Sequence, residues 1–331
     1  MLIPPKYFLT PSVSRLLSEI EGSKQVVDSV KIPLEVEANI RRKSTLQSSL
    51  FSARIEGNNT TPDTLPKLSS SDLKKVEINN VLRAINWAAQ RSARDITVKD
   101  ILNLHSLVMK GIDFDELGRF RTKHEGIFSS AGAVIYHAPP PKLIVGLIER
   151  LLKYVNRNKE IFVPIRAILA HFIFEKIHPF TDGSGRVGRL FLLMVLSKAG
   201  YGFKGILPIE EKIDKRRDIY YKMLEEPERD VTDYLEFMLE ILNEATSDTK
   251  KNVLNYQKIT PSDLLLPRRS EILSIINDQK IINFDSIKRR FKNINERTLR
   301  YDLKKLADSG FIQKLGTTRG VYYKSLESKN E

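Results

Sequence analysis

Over most of the first 245 residues, apolar positions return every third or fourth residue, the repeat of an amphipathic helix. The pattern predicts helices over residues 33–52, 71–91, 98–110, 142–156, 164–177 and 186–198. In the 142–156 segment Leu143, Leu147, Leu151 and Val155 fall on one face, with Glu149, Arg150 and Lys153 turned out. Pro164 suits a first helical turn, where its missing N–H costs nothing. The repeat breaks between Arg121 and Lys142, where Ile127-Phe128 and Val134-Ile135-Tyr136 flank a Ser-Ser-Ala-Gly turn and predict a short β-hairpin. The expected fold class is mainly α.

Beyond Ala245 the chain turns polar and loosely patterned, with Ser247, Asp248, Thr249 and two prolines before residue 268, which reads as a linker. The tail then predicts helices over 269–278, 284–291 and 296–309 and strands over 311–315 and 320–323. Four regions follow: an N-terminal helical region (1–95), a body (96–245), a linker (246–267) and a small α/β tail (268–331). A length of 331 residues suits two or three domains, and 41% hydrophobic with 29% charged residues is an ordinary globular balance. Zero cysteines excludes disulfides, thiol nucleophiles and thiolate metal sites. The first 30 residues lack the basic start and apolar core of a signal peptide and no apolar run is long enough for a membrane span, so a cytoplasmic protein with no membrane partner is expected. The formal charge of +13 invites a polyanionic partner, and from Arg268 onward 15 Lys+Arg stand against 8 Asp+Glu, so the tail holds about half of the excess.

The chemistry concentrates between Ile177 and Arg189. One apolar helix ends, a loop carries His178, Asp182 and three small residues, and a second apolar helix begins. Gly183-Ser184-Gly185 at a helix N-terminus presents backbone N–H groups to a phosphate, and the helix dipole adds positive charge there. Arg186 and Arg189, three apart, can reach the same side of the first turn and hold phosphate oxygens. Asp182 offers a hard oxygen to Mg2+, and His178, which titrates near neutrality, can take a proton from an incoming hydroxyl. Each residue alone has a plain structural explanation; their coincidence in twelve positions points to phosphate chemistry.

That window resembles the Fic family signature, His-x-Phe-x-Asp/Glu-Gly-Asn-Gly-Arg-x-x-Arg, at His178, Phe180, Asp182, Gly183, Gly185, Arg186 and Arg189, with Ser184 in place of Asn. The resemblance implies a Fic helical bundle with a β-hairpin flap, and transfer of AMP from ATP to a Ser, Thr or Tyr hydroxyl of another protein or of the chain itself. By the same resemblance His178 is the base, Asp182 holds Mg2+, and the nucleotide lies on residues Asp182, Gly183, Ser184, Gly185, Arg186, Val187, Gly188 and Arg189. Residues 118–122 with the hairpin resemble the flap, adding Gly126, Ile127, Phe128 and Ser129 to the nucleotide site. The stretch from Asp218 to Leu224 resembles the helix whose Tyr-Tyr pair lies by base and ribose, here Tyr220 and Tyr221, although core aromatics read equally well.

Upstream, Ser52-Ala-Arg-Ile-Glu56-Gly57-Asn58 ends a helix carrying Leu46, Leu50 and Ile55 on its apolar face. It resembles the inhibitory helix of many Fic proteins (here about 35–57), which implies that Glu56 pairs with Arg189 and blocks the nucleotide. The tail resembles a winged helix-turn-helix, which makes Arg297, Thr298, Arg300 and Lys304 of the recognition helix and Arg319 of the wing available to DNA, with protein contacts as the other use of such a fold. Two other functions stay open: a nucleotide-sensing, DNA-binding transcription regulator, and a relative that transfers phosphate or another nucleoside monophosphate. A homodimer is compatible with everything above.

Overall fold

The computed structural model describes residues 2–91, 94–112, 116–128, 134–157, 160–225, 227, 229–255, 265–291, 294–316 and 320–326. The chain divides into two compact units, Met1–Leu254 and Asn255–Glu331, each with its own apolar core.

In the first unit ten helices and one hairpin are described: α1 Pro11–Ser29, α2 Leu34–Ile55, α3 Leu73–Ala89, α4 Val98–Met109, β1 Gly126–Phe128, β2 Val134–His137, α5 Pro141–Asn156, α6 Val163–Ile177, α7 Ser184–Lys198, α8 Ile209–Lys215, α9 Arg217–Glu225 and α10 Thr232–Leu254. Their ends follow local chemistry. Thr97 and Asp100 form a reciprocal capping box that starts α4, and the Asp72 carboxylate accepts from the Lys74 N–H to start α3. Every residue of α6 from Pro164 to Ile177 is buried, so this helix is the centre of the unit, and α7 packs along it after a turn made by residues 178–183.

Four expectations need correction. The first nine residues of the expected linker, 246–254, are the last turns of α10. Ala245, Thr249 and Val253 recur every four residues as a buried stripe, the Thr249 hydroxyl donating to the Ile206 and Ala245 carbonyls, while Ser247 and Asp248 lie between them. On α5 the buried stripe is Ile144, Leu147, Ile148, Leu151, Leu152 and Val155; Leu143 is 48% exposed, because a wide stripe centred one position later packs more area on α6. Leu46 on α2 is likewise outward while Leu50 and Ile55 are buried. Helix α1, absent from the expected elements although Val13, Leu16, Ile20 and Val27 recur at helical spacing, packs along α10 through those residues.

The second unit runs α11 Pro267–Gln279, β3 Ile281–Asn283, α12 Phe284–Arg290, α13 Glu296–Asp308, β4 Ile312–Leu315 and β5 Tyr322–Ser325. Strands order β3-β5-β4, all antiparallel. The three-residue β3 is too short to show a period, and it completes the sheet of the expected winged helix. Among the described residues no helix is long and apolar enough to cross a membrane.

Candidate active site: a histidine loop and two occupied arginines

Helix α6 ends because His178 takes a left-handed backbone, φ 44° and ψ 66°, while its N–H still donates to the Phe174 carbonyl. The reversal is held from outside by Arg121. Its buried guanidinium donates to the carbonyls of His178 (2.7 Å), Lys123 (2.8 Å) and Pro139 (2.6 Å), and its backbone N–H donates to Pro179. The base of the hairpin and the histidine loop are thereby tied at one residue. Burial pushes the His178 imidazole below its ordinary pKa, against the opposing pull of Glu56, so the ring is neutral and can accept a proton at neutral pH.

Beyond it, Phe180 is buried with its ring stacked on His105, centroids 3.9 Å apart and planes 3° from parallel. The His105 Nδ1 accepts from the Gly118 N–H, which places the proton on Nε2, where it donates to the Asp182 carbonyl at 3.1 Å. The Ser184 hydroxyl donates to the Phe180 carbonyl and accepts from the Phe180 N–H, both at 3.0 Å. It therefore closes the loop upon itself and is fully employed in doing so. Gly183, at φ 78°, precedes α7, and a β-carbon there would sit 2.9 Å from the Met109 sulfur. As at any helix start, the N–H groups of the first turn of α7 have no partner within the helix, which is what an anion site uses.

Both arginines of α7 are already engaged. Arg189, 1% exposed, donates from Nη2 to Glu56 Oε1 (2.8 Å) and the Ser52 carbonyl (2.9 Å), and from Nε to the Ser52 hydroxyl (3.2 Å). Burial works against its charge, but Glu56 outweighs that and keeps the guanidinium protonated above its ordinary range. Arg186 donates to Glu77 of α3 (2.5 Å) and to Asp182 (2.7 Å). Residues 95–196 match the model of the Fic/DOC family. This stretch is a Fic domain.

The relatives agree in kind. The chain is 26% identical to the protein adenylyltransferase Fic of Drosophila melanogaster over 260 residues, which covers 72% of this chain and 50% of that protein; the Drosophila yakuba protein of the same name gives the same figures. The chain thus spans about half the length of these curated relatives. Among solved structures, a Fic family protein from Desulfovibrio desulfuricans G20 superposes with a TM-score of 0.67 at 23% identity, covering 99% of each chain. A Fic domain containing signaling protein from Bacteroides thetaiotaomicron does so at 0.61 and 18% identity, covering 73% of this chain and 97% of that one. At such identities the likeness is one of fold.

The rest of the Fic domain sorts the expected site residues. Gly126, Ile127 and Phe128 form β1, paired antiparallel with β2 in the register Gly126↔His137 and Ile127↔Tyr136; Ser129 lies outside the described residues. Val187 is buried in the core, and a β-carbon on Gly188 would collide with the Glu175 carboxyl, so both belong to the packing behind the loop. Gly185 lies against the Glu56 carboxyl. Of the two readings open for Tyr220 the structure favours the core aromatic over the nucleotide wall: it is 1% exposed and its hydroxyl meets His171 Nε2 at 2.9 Å. Tyr221, one residue on and about 100° around the helix, is exposed at 37% and donates to the Ile55 carbonyl at the end of α2.

Sequence reasoning missed a buried polar layer behind Arg189. Burial raises Glu175 to about 8 and Glu210, which accepts from the Ser48 hydroxyl, to about 7, and lowers His171 to about 3. His171 and Glu175, four apart in a mostly apolar helix next to the signature, were the available signal.

In the tail, residues 270–322 match the Ribonuclease R winged-helix domain. Leu299, Asp302, Leu303 and Leu306 of α13 face inward, and Arg297, Arg300, Tyr301 and Lys304 face out. Thr298 is half-buried, with its N–H on the Asn295 cap, and Arg300 lies over the Phe284 ring at 3.9 Å. Asp302 is buried beneath Arg268 and Arg269. Arg319 lies outside the described residues.

Proposed function

We propose that this chain is a protein adenylyltransferase held off by its own Glu56. The observation that carries the reading is the pairing of a neutral, buried His178 with Arg189, whose phosphate-binding nitrogen is taken by Glu56. In the reaction, a protein hydroxyl oxygen attacks the α-phosphorus of ATP. The bond from that phosphorus to the bridging oxygen breaks, pyrophosphate leaves, and the hydroxyl proton passes to the His178 imidazole. The N–H groups at the start of α7 and the Arg189 guanidinium receive the phosphates once Glu56 withdraws. While Glu56 stays, Arg189 is neutralised and the triphosphate has no anchor to bring its α-phosphorus to the base.

Mg2+ fits this site as a companion of the nucleotide. Asp182 is largely exposed, its Oδ1 accepts from Gly183 and Arg186, and its Oδ2 makes no described bond. One free carboxylate oxygen suits a cation held mainly by phosphates and water, and among the described residues no cluster of three or more metal-ligating side chains exists. When bound, Mg2+ supplies charge neutralisation of the phosphates.

The names of the Drosophila relatives support AMP as the group moved. The Glu56→Gly protein incubated with ATP, Mg2+ and lysate should gain the mass of an adenylyl group, on itself or on a lysate protein, and His178→Ala in the same background should not. ATP binding without any label would instead mean a nucleotide sensor, and a label from another nucleotide would reassign the donor.

For the tail, the outward face of α13 favours nucleic acid, with Arg297, Arg300 and Lys304 spaced to line one side of a helix that can enter a major groove. A salt-sensitive gel shift of the full chain, weakened in the double variant Arg297→Ala/Lys304→Ala, is the expected result; no shift at low salt removes this reading.

A further inference from the structure

Asp182 is held in place by a chain of contacts that starts in a different helix. Arg186 is only 5% exposed in its side chain, with one terminal nitrogen on Asp182 Oδ1 and the other on Glu77 Oε1. It offers little surface to a phosphate. Glu77, on the first turns of α3, has both oxygens employed, because Oε2 accepts from the Asn58 amide at 2.8 Å. Asn58 is itself buried: its amide also donates to the Lys74 carbonyl, and its oxygen accepts from the Thr60 N–H and hydroxyl. Three members of this line are largely out of solvent, Asn58 buried, Glu77 at 16% and Arg186 at 5%, and only its end, Asp182 at 59%, opens outward.

We propose that Glu77 is a positioning residue for the nucleotide-bound cation: it fixes the Arg186 guanidinium, which fixes Asp182 Oδ1 and leaves Oδ2 turned outward to take the metal. The proposal rests on the adenylyl-transfer reading and assigns Arg186 a different part from the one its place in the signature suggested. A carboxylate that orients a ligand through a guanidinium does what the hydrogen-bonded supports of metal ligands do elsewhere, and loss of such a support costs roughly 10–100-fold in metal affinity. Without Glu77, Arg186 is free to follow the Asp182 carboxylate and cover both of its oxygens. The anchoring through Asn58, two residues after Glu56, puts the end of the inhibitory segment and the cation ligand on one support.

The test uses the full chain with Glu56→Gly as the reference and Glu77→Gln or Glu77→Ala added. Mn2+ affinity of the complex with a non-transferable ATP analogue is read by electron paramagnetic resonance, and AMP transfer is followed against Mg2+ concentration. The expected result is Mn2+ affinity about 10-fold lower, a matching rise in the Mg2+ needed for half-maximal transfer, near-reference transfer at saturating Mg2+, and partial recovery in Glu77→Asp. Unchanged Mn2+ affinity in both variants overturns the proposal. So does a loss of transfer by the same factor at every Mg2+ concentration together with a lower Tm, the mark of a structural role. If the reference binds Mn2+ and nucleotide but transfers nothing, the adenylyl-transfer reading fails while the resonance measurement still decides the part of Glu77. No Mn2+ binding by the reference overturns both.

Discussion

The arginines of α7 and the outward cations of α13 are placed in opposite ways. Around α7 Arg189 and Arg186 are buried and matched, the first by Glu56 and the second by Glu77 and Asp182. On α13 Arg297, Arg300 and Lys304 sit in solvent, with Arg300 leaning on an aromatic ring, while the buried charge of that helix, Asp302, is matched by Arg268 and Arg269. Buried pairs are expensive to break and so fix geometry, which chemistry at a phosphorus atom needs. Exposed cations cost nothing to keep and act at a distance, with a strength set by salt, which suits docking on a polyanion. The contrast separates a part of the chain that must be exact in position from one that need only carry charge.

Five measurements can break or sharpen this contrast. The largest effect is expected for His178→Ala in the Glu56→Gly background, where AMP incorporation should fall by roughly 10²–10⁴-fold, the usual worth of a positioned base; a smaller loss would show that the loop only binds. The acid limb of the Glu56→Gly pH–rate profile should also lie below the ordinary histidine range, since burial lowers His178 and the variant removes the carboxylate that opposes this. Next, Arg189→Ala should cost about 3–5 kcal/mol in chemical denaturation, because it strands Glu56 beside an already acidic layer. Arg297→Ala in the tail should stay within about 0.5 kcal/mol. Equal costs would erase the distinction between the units.

A moderate effect is expected from pH. Glu175 and Glu210 bind their protons more tightly folded than unfolded, so the stability they contribute is present at low pH and lost as pH rises through about 7 and about 8. Above the ordinary histidine range His171, lowered to about 3, no longer titrates in either state. Tm should therefore drop by on the order of 5 °C between neutral and mildly alkaline pH, and Glu175→Gln with Glu210→Gln should flatten the decline. A flat wild-type profile would remove the buried acids from the account. The smallest effect lies in the tail: Arg297→Ala/Lys304→Ala should reduce the salt slope of nucleic-acid binding by about 2 and leave adenylyl labelling of the Glu56→Gly protein unchanged.

The loop was legible in the sequence because its chemistry is local: His178, Asp182, Gly183 and Ser184 act within one turn of each other. Helix α4 was legible because a strong apolar repeat coincides with a capping box. Glu56 as the partner of Arg189 came from resemblance, and the structure pairs the two at 2.8 Å. Glu77 left no trace, since its partner lies 109 residues away and a glutamate near a helix start is unremarkable on any surface. Tyr220 and Tyr221 show a different limit. Adjacent helical positions point about 100° apart, so a Tyr-Tyr pair cannot line one wall, and burial chose Tyr220 for the core. The supposed linker failed in the same manner: Ser247 and Asp248 are polar because they lie off the buried stripe of α10, and a window narrower than two turns cannot tell an exposed helical face from a loop.

Arg121 joins the hairpin base to the reversal at His178 through carbonyls alone, so no side-chain charge has to change for the tie to hold. The separation between the hairpin and the imidazole is thus a fixed length of the molecule, like the gap between a fence and a blade. A peptide added to that hairpin as a further strand would advance in steps of one residue pair, about 7 Å, and could present a hydroxyl to the base at one step only. Choice of the modified residue would then be a matter of counting along the target backbone, with Arg121 as the origin of the count.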